Sequence, residues 1–139
     1  MRLLDSDTLS HLWASHPLVV ERLAECSDTE IGITSITKCE VLRARCENLL
    51  KAGLAPEVLI AQRRLDRSER LLGQLTVVPF DETAAKMLER LEDVKKLRTI
   101  GRADLLISSI ALANAATLVT RNLRHFRQTP NLLLENWVD

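Results

Sequence analysis

The 139-residue sequence has no tyrosine, and aromatic residues make up only 3% of it, namely Trp13, Phe80, Phe126 and Trp137. A protein that binds nucleic acid by stacking bases on rows of aromatic side chains is therefore not expected. Its three cysteines, Cys26, Cys39 and Cys46, contain no C-x-x-C pair. An odd, widely spaced set excludes a disulfide framework and a cysteine zinc site, and it suits a reducing cytoplasm. Four glycines and four prolines are too few for a linker, so the chain reads as a single domain over residues 1–139 with room for one real core. The longest nearly apolar stretch, Leu105 to Val119, contains Ser108, Ser109 and Asn114; it is too short and too polar to span a bilayer. Met1 leads into acidic residues rather than a basic stretch and an apolar run, so neither a secretory signal nor a membrane partner is expected. The three histidines (His11, His16, His125) form no pair at metal-ligand spacing, and nothing supports serine–histidine catalysis. Net charge is zero, with 19 basic and 19 acidic side chains, so no whole-molecule field draws in nucleic acid.

What is present is an ordinary globular mixture, 46% apolar and 27% charged, with an uneven layout. Residues 1–60 carry six basic and nine acidic groups, and residues 61–139 carry thirteen and ten. Such a division lets basic groups touch a phosphodiester locally while a cation occupies the acidic side. Short Leu/Ile/Val-rich runs at 2–4, 31–36, 75–80, 117–120 and 132–134 read as strands buried on both faces, hence parallel. Helical spacing fills the segments between them. In 37–52, Cys39, Leu42, Cys46 and Leu49 recur on one face, with Gly53 suited to the cap. In 57–74, Ala61, Leu65, Ser68 and Leu72 form one face and Arg63, Arg67 and Arg70 another, solvated one. Residues 82–98 and 103–116 are helical by the same test. The expected fold is an α/β three-layer sandwich, a mostly parallel central sheet with helices on both faces. Its functional crevice then lies outside the carboxyl ends of the strands.

Acidic groups collect at those ends. Asp5 and Asp7 follow the first strand, where Ser6 or Asp7 is the expected N-cap of a helix starting near Thr8. Glu40 lies in the first turns of the helix after the second strand, where the helix dipole also favours it. Asp104 stands at the mouth of an apolar, buried helix. The fourth strand runs into Thr120-Arg121-Asn122, a polar turn. Carboxylates about 4 Å apart repel by roughly 4 kcal/mol at an effective dielectric near 20. Three in one pocket raise one another's pKa unless a divalent cation compensates. Carboxylate oxygens with an amide and several waters suit Mg2+ or Mn2+, an ion that polarises a phosphoryl oxygen.

The segments LLDSDTLS (3–10), ITSITKCEVL (33–42), IGRADLLISSIAL (100–112), TLVTRNLRHFRQTP (117–130) and LLLENW (132–137) resemble PIN-domain ribonucleases of the VapC-like toxin type, essentially from end to end. The resemblance implies a Mg2+- or Mn2+-dependent endoribonuclease that leaves a 3′-hydroxyl and a 5′-phosphate. It implies Asp5, Glu40 and Asp104 as metal ligands, with Asn122 completing the catalytic set. Thr120, Ser6, Arg102 and Arg121 are the substrate-side candidates. Implied partners are RNA, a second copy of the chain, a cognate antitoxin protein, and operator DNA reached through that antitoxin. Three departures stand out. Ser6 replaces the threonine usual after the first aspartate, Arg102 stands where a proline is common, and Asn122 lacks the charge of the aspartate sometimes found there, which bears on a second metal site.

Two other readings use the same residues. Asp5-Ser6-Asp7-Thr8-Leu9 fits the D-x-D-x-T pattern of haloacid-dehalogenase-like phosphatases, with Asp5 as phosphoryl acceptor, although residues 100–112 lack the later acidic pair of that class. A catalytically decayed PIN domain acting as a binding module is the non-enzymatic alternative.

Overall fold

The apolar runs form five short strands: β1 (Arg2–Leu4), β2 (Ile31–Thr34), β3 (Thr76–Val78), β4 (Thr117–Val119) and β5 (Leu133–Glu135). They belong to a computed structural model that describes residues 1–28 and 30–139. All pair in parallel, in the order β3-β2-β1-β4-β5. Among the described residues seven helices connect them: α1 (Ser6–Trp13), α2 (Pro17–Glu25), α3 (Ser35–Lys51), α4 (Ala55–Leu72), α5 (Glu82–Glu92), α6 (Arg102–Ala113) and α7 (Leu123–Phe126). Register separates the two faces of the sheet. Leu4, Ile33 and Val119 point one way, into a core with Leu9 of α1, Val19 of α2, Val41 of α3, Leu72 of α4 and Trp137. Leu3 and Val78 point the other way, onto Ala84 of α5 and Ile110 and Ala111 of α6, and Leu118 meets Ile107 and Phe126 there. The result is the expected three-layer sandwich. Leu3, Leu4, Leu9, Ile33, Ile110 and Leu118 are wholly or almost wholly buried, each burial stabilising the fold by roughly 1.5–3 kcal/mol.

Local chemistry explains where the elements stop. β2 ends at Thr34, not residue 36, because Thr34 Oγ1 accepts from Thr37 N at 3.0 Å and so caps α3. β3 ends before Pro79, and Asp81 caps α5 through Ala84 N at 2.9 Å. The helix expected over 82–98 stops at Glu92. A single 3-10 turn (Lys95–Leu97) follows, and Leu91 and Leu97 are buried together with Ile100 and Leu105. The helix expected over 103–116 closes at Ala113. There Ala116 N donates to Ala111 O at 2.9 Å while Ala115 adopts φ 48°, a left-handed position normally given to glycine. α2 was not among the expected helices: Pro17 reads as punctuation, yet it occupies the first turn, where its missing N–H costs nothing. The expected apolar face of α3 is also corrected. Cys39 and Cys46 are exposed, and the buried positions are Thr37 and Val41. α3 packs mainly on α4 and touches β2 and β3 more lightly. The face expected for α4, with Ala61, Ser68 and Leu72 buried, is the one observed. Among the described residues no helix is long and apolar enough to cross a membrane.

Candidate active site

The sheet order makes the gap between β1 and β4 the point where the connections reverse direction, and this is where an open α/β sheet forms its crevice. Asp5 follows β1 directly. Its backbone N donates to Val119 O of β4 at 3.0 Å, and its side chain, not that of Ser6 or Asp7, caps α1 by accepting from Thr8 N at 2.8 Å through Oδ1. The expected capping assignment is thereby corrected. Thr8, fully buried, donates from Oγ1 to Val119 O at 3.2 Å and ties the start of α1 to β4. Asp5 thus holds a fixed position at the switch point with its second carboxylate oxygen outside the cap.

Glu40 enters from α3, whose direction is set by the buried Thr34–Thr37 hydroxyl pair at 3.1 Å. It is half-buried. Burial first, and then the negative charges of Asp104 and Asp5, push its carboxyl above the usual glutamate range. Glu40 thus feels the charges of two side chains that lie 35 and 64 residues away along the chain. None of them is answered by an arginine or lysine: among the described residues, no ion pair joins a basic chain to Asp5 or Glu40, and Asp104 meets only His125.

His125 is the residue that sequence reasoning missed. Its Nε2 lies 2.9 Å from Asp104 Oδ2, a close contact without the angle of a regular hydrogen bond. The only sequence signal was the spacing Asn122-x-x-His125, which places both on one side of the short helix α7. Asn122 precedes α7 at the end of β4, and its backbone N donates to Thr120 Oγ1 at 3.0 Å. Thr120 itself is fully buried. Its hydroxyl braces the turn by accepting from Asn122 N.

The remaining substrate-side candidates are dispersed. Ser6, the first residue of α1, lines a cleft of about 440 Å3 together with Glu40 and Arg45. Arg102 reaches away to Glu92 at 3.2 Å. Arg121 lies near the rim, 3.4 Å from Asp139 and 3.9 Å from Asp7. Asp7 also lies 3.7 Å from His11, so it is engaged on the outside of α1 rather than beside Asp5 as a phosphatase acid.

Among the described residues, no three acidic, histidine or cysteine side chains stand close enough to enclose an ion. The donor set is instead a loose group of uncompensated carboxylates with an amide nearby. That chemistry fits Mg2+ or Mn2+, which keep several of their waters and need only one or two carboxylates in direct contact.

An all-parallel α/β sandwich whose switch-point carboxylates have no arginine or lysine partner defines a class of acidic-crevice domains suited to phosphoryl chemistry. The chain belongs to the PIN-domain family, whose profile it matches over residues 2–132, and the haloacid-dehalogenase alternative is overturned by that membership. It is 27% identical to a tRNA(fMet)-specific endonuclease VapC of Salmonella typhimurium, over 97% of this chain and 96% of that protein. A shorter match, 54% identical over 48 residues, relates it to ribonuclease VapC2 of Rickettsia felis; it covers 34% of this chain and about a third (36%) of that relative. Among solved structures, VapBC2 of Rickettsia felis bound to a DNA fragment from its promoter superposes with a TM-score of 0.75 at 28% identity, covering 98% of each chain.

Proposed function

We propose that the protein is a divalent-metal-dependent endoribonuclease, the toxin of a toxin–antitoxin pair, folded as one unit over residues 1–139. The observation that carries this reading is Glu40, half-buried and pushed above its usual range by burial and by the charges of Asp104 and Asp5, with no arginine or lysine at ion-pair distance from any of the three among the described residues. Asp5, Glu40 and Asp104 would hold Mg2+ or Mn2+, and such an ion supplies charge neutralisation and polarisation of a phosphoryl oxygen. Asp5 is oriented by its cap to Thr8 and Asp104 by its contact with His125, so both present a preset carboxylate. Glu40, the carboxylate with the raised pKa, orients the attacking water and accepts its proton at the carboxylate. Asn122, braced by Thr120, offers a neutral amide to the phosphate, and Ser6 adds a hydroxyl at the mouth of the adjacent cleft.

The named relatives support RNA as the substrate and a VapB-type protein as the partner. With no net charge of its own, the chain reaches operator DNA through that partner. Assembly as a homodimer and a cytoplasmic location complete the proposal. The test is cleavage of cellular RNA, including transfer RNA, by purified protein with Mg2+ or Mn2+. Cleavage products ending in 3′-hydroxyl and 5′-phosphate are expected, and activity should vanish in EDTA and in Asp5→Ala. Undiminished cutting in either case overturns the proposal. Metal-dependent stabilisation without any cutting returns the binding-module alternative.

A further inference from the structure

Three clefts run into one another along α1, α3 and α4, and Arg45 lines all of them. The cleft that holds Glu40 and Ser6 shares Ser10, Trp13 and Arg45 with a second, of about 280 Å3. The second shares Arg45 and Arg64 with a third, of about 490 Å3, that reaches Lys51. Shared lining residues thus link the cleft at Glu40 to a path outward over the α3–α4 pair, and Arg67 joins its wall midway. Two acidic groups also border it, Asp7 near Ser6 and Glu57 at the far end.

The arginines of this path differ from those suggested by sequence. Arg102 and Arg121 spend their charge on Glu92 and Asp139. Among the described residues, no carboxylate lies within ion-pair distance of Arg45, Arg64 or Arg67. Arg45 is also built in: its Nε donates to Ser68 Oγ at 3.0 Å, and Ser68 is only 3% exposed. That bond fixes the guanidinium while leaving its other N–H groups for a ligand. Arg45 lies five residues beyond Glu40 on α3, about 7.5 Å along the helix axis, and both line the same cleft.

We infer that this path is the track for the single-stranded RNA backbone flanking the hydrolysed bond, with Arg45 on the phosphate beside the site and Arg64 and Arg67 on those beyond. The inference rests on the ribonuclease reading and assigns its substrate contacts. Arginine suits phosphate because its planar fork presents paired donors. Contacts of this kind position a strand without reading its sequence.

The experiment measures binding of a short, unstructured, fluorescently labelled RNA in EDTA, across a range of salt concentrations, alongside cleavage in Mg2+. The R64E/R67E double variant is compared with R63E/R70E, which makes the same charge change on exposed α4 positions off the path. R64E/R67E should weaken binding at least tenfold and flatten the dependence of log K on log salt by about 1.4, near 0.7 for each lost phosphate contact on a single strand. R63E/R70E should stay within twofold of wild type. If R64E/R67E lowers the melting temperature, R64Q/R67Q repeats the comparison and should still weaken binding at least threefold. Equal weakening by both double variants means a general charge effect and overturns the track. Undiminished binding in R64E/R67E, with cleavage intact, overturns the track and leaves the ribonuclease reading standing; the same result with loss of antitoxin binding assigns the path to the protein partner. A wild-type protein that neither binds nor cuts RNA removes the ribonuclease reading, and the track with it.

Discussion

Glu40 sits where burial and two neighbouring negative charges act in the same direction. With a pKa above its unfolded value, it binds more protons in the folded chain than in the unfolded one through the window between the two. Its contribution to stability therefore falls as pH rises through that window and stays unfavourable at neutral pH. Glu40→Gln should remove this slope and raise the metal-free melting temperature at pH 7. The same variant should lose RNA cleavage by about a hundredfold or more, as expected for a group that positions or deprotonates the attacking water. Stability and activity moving in opposite directions is the signature to look for. The strand-end carboxylates were legible in the sequence because each follows a buried run directly. His125, Arg45 and Ser68 were not, since their roles arise from contacts between elements that no local spacing records. The misassigned cap at Asp5 has a simpler cause: three candidate capping residues stand side by side, and only the close of β1 decides among them.

At the scale of elements, two backbone positions carry clear consequences. Gly32 in β2 lies against β3, where an added Cβ would collide with the carbonyl oxygen of Thr76. Gly32→Ala should force β3 away and cost about 1–3 kcal/mol, read as a lowered denaturant midpoint with unchanged slope. Ala115, in contrast, occupies a left-handed conformation at the end of α6. Ala115→Gly should relieve that strain and stabilise the protein by about 0.5 kcal/mol net of glycine's greater freedom when unfolded. These positions also show what limited the reading of elements. Strand positions and the long helices followed from hydrophobic runs and periodicity. Their ends did not, because Thr34, Asp81 and Ala115 each end or start an element through a specific bond or torsion. The face of α3 was misread because cysteine counts as apolar, whereas Cys39 and Cys46 are exposed and the buried positions are Thr37 and Val41.

For the molecule as a whole, stability should respond to pH and, on the proposed function, to metal. Arg2 of β1 reaches across the sheet to Glu135 at the end of β5 with contacts of 2.9–3.2 Å, and Trp137 Nε1 donates to the same carboxylate at 2.8 Å. The hydrogen bond from Arg2 is the main reason the Glu135 carboxyl is held below its usual range. Its stabilisation is complete above the unfolded pKa and is lost as pH falls through the folded one. Melting temperature should therefore drop on acidification more steeply in wild type than in Glu135→Gln. Mg2+, bound only by the folded chain, should add about 2.7 kcal/mol at a hundred times its dissociation constant. Asp104→Asn should shrink that gain while leaving the response to acid at Glu135 unchanged, which separates the two effects in one set of melts.

The strand order has a consequence in time. β1, synthesised first, lies in the middle of the sheet and gains its neighbour β4 only when residues 117–119 have been made. Asp5 must wait for Asp104 and Asn122, so a chain still leaving the ribosome has no completed crevice. A nascent chain can assemble the crevice only once residues 117–122 have joined the earlier strands.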